Sequence, residues 1–317
     1  MIEDIICQES VLTSLYEFAK EYQTQKISLL QEGLATGLIV GGALVMAIGF
    51  KQTLKLVMDL IDFLAKVIRF AIDKFKDLWA WFQTNVICSN ADNETLANKA
   101  SGLSANVTIT EATTDLTLKG HTLSTNILSI ANDIVYNNQR MYNTIYTNLI
   151  MDGQSIFKNN DEVLAKIADN RAQILGLKSF PVNATISDFR KVFRNKVFGY
   201  GTSSKYSYNV QDAVKILRET QSKLDTLSSL KKNIIDQAEN DLKMLEQKKK
   251  EFSRAREADI KVTRDFTRQM GMLTQYRKQT LDDTLVAFSI LLDYTNSSNK
   301  IAREICIKAI ESKMREG

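Results

Sequence analysis

Residues 33–50 read GLATGLIVGGALVMAIGF, a run without a single charge, bounded by Glu32 and Lys51. Gly33, Gly37 and Gly41 recur every fourth residue, and Gly49 falls on the same series. Each glycine inside a helix costs roughly 1 kcal/mol against alanine. Close approach of a second helix, or insertion into lipid, would offset that cost. As a helix the run is about 27 Å long, just short of a ~30 Å hydrocarbon core. Three readings stay open: a full span, a buried helix of a soluble bundle, and a segment hidden in one state and inserted in another.

The rest of the chain points to helices. Its 317 residues contain one proline, Pro181. Prolines end helices and punctuate loops, so their scarcity predicts long uninterrupted helices. Residues 2–30 space Ile5, Leu12, Leu15, Phe18, Tyr22, Leu29 and Leu30 as an amphipathic helix. Residues 1–32 carry six acidic and two basic side chains, a net −4 within a chain of net +4. The basic excess elsewhere fits a solvated helical face, an anionic membrane or nucleic acid.

Residues 51–83 show one polar stripe of mixed sign: Lys55, Asp59, Asp62, Lys66, Arg69, Asp73 and Asp77. Apolar residues cover the remaining faces and end in Trp79, Trp81 and Phe82. An aromatic-tipped amphipathic helix suits a membrane interface, and it equally suits the core of a bundle.

Residues 84–122 are rich in Asn, Thr and Ser. Val107 and Ile109 alternate with Thr108 and Thr110, and Leu116 and Leu118 with Thr117 and Lys119, which predicts a small hairpin near 105–119. Helical periodicity returns over 123–152 and 161–175. Phe180-Pro181 breaks it, Ser187-Asp188 is expected to cap a short helix, and 199–207 (GYGTSSKYS) reads as a loop. From Asn209 to about Thr295 apolar residues alternate by threes and fours, a coiled-coil or long-bundle pattern. Lys231, Lys249 and Asp259 interrupt its seam. Two readings stay open for this stretch: one helix roughly 130 Å long, or a fold-back placed within Gln247–Asp259. Asn296–Asn299 (NSSN) is expected to close the pattern before a last helix to about Met314.

Little of the chemistry of an enzyme is present. The single histidine, His121, has no partners for a metal or catalytic set. No P-loop or dinucleotide fingerprint occurs, and Gly199-Tyr200-Gly201 is too short a match. Asp282-Asp283 is adjacent on a helix and reads as solvated. Cys7, Cys88 and Cys306 are odd in number and far apart, which predicts free thiols and assembly in a reducing compartment. No secretory signal is expected at the N-terminus, and the four Asn-x-Ser/Thr matches read as chance. Lys248, Lys249, Lys250, Arg254 and Arg256 could contact phosphates, although Glu246, Glu251, Glu257 and Asp259 interleave with them.

The acidic N-terminal helix, the GLATGLIVGGALVMAIGF run and the following KQTLKLVMDLIDFLAKVIRFAIDKFKDLWAWF together resemble helical internal virion and head-core proteins of tailed bacteriophages. The long helical C-terminal half with its basic tilt fits too. The resemblance is architectural, is best over residues 1–83 and transfers no functional residue. It implies a structural, non-enzymatic protein present in many copies, ejected with the genome in some cases to act at the host envelope. The α-helical pore-forming toxins also pair a helical bundle with an apolar head segment, but they are usually exported.

The expectation is therefore an all-α, elongated helical bundle with long coiled-coil-like C-terminal helices and one small hairpin. Its segments are 1–83, a connector at 84–122, short helices over 123–207 and the long helical region 208–317. No enzyme activity and no cofactor are expected. The expected partners are further copies of the chain or other virion proteins, with a membrane or packaged DNA as additional contacts. The expected location is the virion, assembled in the host cytoplasm, or alternatively a membrane.

Overall fold

The computed structural model describes residues 50–84, 92–110, 147–148, 156–198, 205–254 and 260–316. Among these residues there are six helices and one two-stranded antiparallel sheet, so the all-α class holds. The helices are α1 (Phe50–Phe82), α2 (Asn93–Ala100), α3 (Asn160–Leu175), α4 (Ile186–Phe198), α5 (Val210–Phe252) and α6 (Ile260–Glu316), and the strands are β1 (Asn106–Thr110) and β2 (Lys205–Asn209). The expected helix over 2–30, the expected helix over 123–152 apart from residues 147–148, and His121 lie outside the described residues.

Three long helices make the body. Helices α5 and α6 have 43 and 57 residues, about 65 and 85 Å at 1.5 Å per residue. They run antiparallel: Phe252 meets Phe266, Asp241 meets Arg277, and Thr220 meets Asn299. The chain reverses between Phe252 and Ile260, inside the expected fold-back segment. Helix α1 runs antiparallel to α5 through Asp62–Lys249, Arg69–Glu246 and Trp79–Lys231. It runs parallel to α6, with Phe75 and Trp79 both against Phe288.

Helix α6 is the centre of the bundle. It packs on α1, α2, α3, α4 and α5. Every residue from Thr280 to Phe288 is buried, so this helix has no solvent face at that level and needs no amphipathic stripe. The NSSN segment does not end a helix, contrary to expectation. Asn296, Ser298 and Asn299 are buried inside α6. Asn299 Oδ1 accepts from Asn93 Nδ2 at 2.7 Å, and Asn93 Oδ1 accepts from Arg303 Nη1 at 2.6 Å. Tertiary hydrogen bonds outweigh the low helix propensity of Asn and Ser.

The seam interruptions in α5 also have partners. Lys231 Nζ lies 4.9 Å from the Trp79 ring centroid, and Lys249 Nζ donates to Asp62 at 2.6 Å. Asp259 lies outside the described residues.

The shorter helices are delimited by local chemistry. Asn159 accepts from Glu162 N at 2.9 Å and Lys158 N donates back to Glu162 Oε2 at 2.7 Å, so both ends of the first turn of α3 are satisfied. Gly176, at φ 65°, ends α3 with Leu177 N donating to Ala172 O. At α4 the reciprocal cap is Thr185 with Asp188, not Ser187-Asp188. Thr185 N donates to Asp188 Oδ2 and Asp188 N donates to Thr185 Oγ1. That pairing holds the Asp188 carboxyl below its ordinary range, the Thr185 side-chain and backbone hydrogen bonds being the leading causes.

Strand β1 stands where alternation places it, with Ile109 buried and Thr108 exposed. Its partner is β2, about a hundred residues on in the chain, in register Val107↔Tyr208 and Ile109↔Tyr206. The segment 199–207, read as loop, therefore supplies strand from Lys205 onward. The expected second arm, Leu116–Lys119, lies outside the described residues. A free two-stranded ribbon is marginal in water. This one is held because Ile109 and Tyr208 enter a second core with Ala97, Val210, Leu217 and Ile305.

Candidate functional site

Gly33, Gly37, Gly41 and Gly49 lie outside the described residues. The aromatic residues that follow them are central to the body. Trp79 and Phe82 are buried and Trp81 is half-buried against the same core. The Trp79 ring lies tilted against Phe82, with centroids 5.7 Å apart, and against Phe288 at 6.3 Å. Of the two readings of this helix, its placement is that of a bundle helix. The polar stripe keeps its predicted face: Lys55, Lys66, Arg69, Asp73 and Asp77 are exposed. Among the described residues no helix is long and apolar enough to cross a membrane.

The basic cluster falls at the end of the bundle where α5 turns toward α6. Lys249 is committed to Asp62 of α1. Lys248 pairs with Glu251 at 2.7 Å, and its ammonium lies 5.9 Å from both the Phe252 and Phe266 rings. Lys250 and Arg254 are exposed, and Arg256 lies outside the described residues. Two of these five cations thus serve the fold, which the charge run alone did not reveal.

A set of buried ions, missed by sequence reasoning, surrounds the middle of α6. Asp283 is fully buried and forms a two-pronged pair with Arg171 of α3, both bonds at 2.9 Å. Arg171 Nη1 also donates to Ala184 O at 2.8 Å, so one guanidinium joins α3, α6 and the approach to α4. Nearly two turns earlier, Arg277 donates to Asp241 of α5 at 2.7 Å, with both side chains buried. Burial pushes the Asp241 carboxyl up, against the opposing pull of Arg277 and Gln237. Gln269 clamps the entry to α3 by accepting from Ile156 N and Phe157 N and donating to Phe157 O. The expectation of a solvated Asp282-Asp283 is therefore corrected. Adjacent residues on a helix point about 100° apart, and here neighbouring helices cover both directions.

Burial, and next the Asp283 charge, push the Asp282 carboxyl well up from its ordinary 3.8. The sign follows from linkage. Well below its ordinary value the group is neutral in folded and unfolded chains alike. As pH rises the unfolded chain ionises first, so stability is lost until the folded carboxyl ionises too. Asp282→Asn is expected to stabilise the protein at pH 7–8 by at least about 1 kcal/mol, the value of one pKa unit. The gain should shrink steadily as pH falls toward 4. Paired denaturation curves from pH 4 to 8 check this, and a pH-independent difference would contradict it.

These groups tie the helices together. The described surface around Leu78, Phe82, Leu292 and Asn296 encloses only about 10 Å³. A larger depression of about 320 Å³, along Ser228, Lys232 and Asp236 of α5, is lined by that one helix. Among the described residues no group of three or more His, Cys, Asp or Glu side chains could hold a metal ion. Burial raises the Tyr276 hydroxyl to about 12 and the Cys306 thiol to about 11, which makes both poor nucleophiles. Comparison with protein-family models, curated proteins and solved structures finds no match to this chain.

Proposed function

We propose that this chain is a non-enzymatic structural protein of a tailed-phage particle that works by helix packing. Residues 33–50 are its packing or insertion segment. The observation that carries the reading is the burial of Trp79 and Phe82 in the bundle core. The uncharged run leads straight into α1, whose far end is fixed between α5 and α6. A partner that grips the run is thereby coupled to a body of long helices. The buried ions support the same reading, because Arg171, Asp283, Arg277 and Asp241 are spent on joining helices. The resemblance of residues 1–83 to internal virion proteins supplies the setting.

Two measurements test the proposal. Mass spectrometry of gradient-purified particles should find the chain in many copies per particle, and its absence would overturn the virion assignment. Sedimentation velocity of the intact chain should show self-association that Gly37→Leu with Gly41→Leu weakens by at least about tenfold, since a flat glycine face permits close helix approach. Unchanged association in that variant would remove the glycine run from the packing role.

A further inference from the structure

Helices α5 and α6 pack along seams that repeat by threes and fours. Ile234, Ala238 and Leu245 are buried on α5, and Met270, Leu273, Ala287 and Leu291 on α6. Asp241 and Arg277 occupy positions of the same two seams and are buried there too. The antiparallel alignment is marked at three levels. Phe252 lies 4.6 Å from Phe266, and eleven residues away along each helix Asp241 accepts from Arg277 Nη2 at 2.7 Å. Thr220 meets Asn299 near the other end. The ties at Asp283 and Asn93 join α6 to α3 and α2, whereas Asp241–Arg277 joins the two long helices directly.

Seams of this period admit more than one alignment, because a helix slid by seven residues presents equivalent positions to its neighbour. Slid one way, Ile234 faces Leu291, Ala238 faces Ala287 and Phe252 faces Leu273. Slid the other way, Leu245 faces Phe266. The apolar seam stays filled in both, and the ions fit neither. In the first slip Arg277 faces Lys248 and Asp241 faces Thr284; in the second Arg277 faces Ile234 and Asp241 faces Met270. Separating a buried ion pair disfavours a state by roughly a hundredfold or more. We propose that the Asp241–Arg277 pair is the register lock of the α5–α6 hairpin, admitting one alignment where the apolar seam alone admits several. The pair contributes specificity and not stability, since an apolar pair of similar volume would hold the helices as tightly. A slip would move the α6 residues that meet α1, α2, α3 and α4 by about 10 Å at 1.5 Å per residue. The lock acts within one chain, whatever that chain assembles with.

The test is pulsed electron double resonance on the intact chain, with spin labels on non-canonical residues at exposed Glu239 of α5 and Glu304 of α6. The parent should give a single distance. Asp241→Leu with Arg277→Met should fold with an unfolding midpoint no lower than the parent's. It should add a second distance about 10 Å away, held by roughly a tenth or more of the molecules. Arg171→Met with Asp283→Leu, which unties α6 from α3, should keep the single distance. Three outcomes overturn the lock. One is a single, unshifted distance in the Asp241–Arg277 variant. Another is a second distance of equal weight in the Arg171–Asp283 variant, which would mean general loosening. The third is failure of the Asp241–Arg277 variant to fold, because the pair would then be supplying stability in place of specificity.

Discussion

Replacing Arg171 with methionine is expected to lower the unfolding free energy by about 3–5 kcal/mol, the usual cost of leaving a buried charge without its partner. Asp283 is fully buried, and two 2.9 Å bonds from Arg171 are its main compensation. The same substitution strips the donor from Ala184 O and removes the guanidinium from beside the Phe189 ring, 5.6 Å away. Denaturant unfolding should show a lower midpoint at an unchanged slope. Adding Asp283→Leu should recover much of the loss, because an apolar pair of similar volume removes the desolvation penalty of both ions. A single variant within about 1 kcal/mol of the parent would mean that the pair is hydrated, and the tie between α3 and α6 would fail as an explanation.

Trp79→Ala should cost a similar amount, about 3–5 kcal/mol, as large-to-small changes of buried aromatics do. The indole bridges Phe82, Phe288 and the Lys231 ammonium, so its loss opens a void where α1, α5 and α6 meet. Trp81, half-buried at the rim, should cost distinctly less. The pair of variants separates two roles that the sequence left open. A core tryptophan changes stability and leaves vesicle binding by the folded protein intact. An interfacial tryptophan would do the reverse. Vesicle binding lost in Trp79→Ala at unchanged stability would contradict the placement of α1 in the bundle.

The long helices were legible because their signals are local and repeated. The polar stripe of α1 gave its exposed face, and scarce proline gave the length of α5 and α6. The polar density of Gln247–Asp259 marked the reversal between them. What was not legible depends on distant partners. NSSN reads as a stop until Asn93, some two hundred residues away, meets Asn299. Asp282-Asp283 reads as solvated until Arg171 and the surrounding helices are in place. The strand at Asn106–Thr110 shows its alternation, yet its pairing with Lys205–Asn209 joins segments about a hundred residues apart. Single-sequence periodicity carries no information on which of two polar segments will close a ribbon. For the same reason the cluster Lys248–Arg254 could be read as one basic face, although Lys248 and Lys249 are paired with carboxylates.

The central claim is that α1 belongs to a packed helical body and that the segment before it grips a partner. Native-state hydrogen exchange of the intact chain, with and without anionic vesicles, tests this most directly. Amides from Val57 to Phe82 should be protected as strongly as those of Thr280–Phe288, near the global unfolding free energy, and vesicles should not change them. Rapid exchange along α1, or protection lost when vesicles are added, would show a helix that leaves the bundle and would contradict the account.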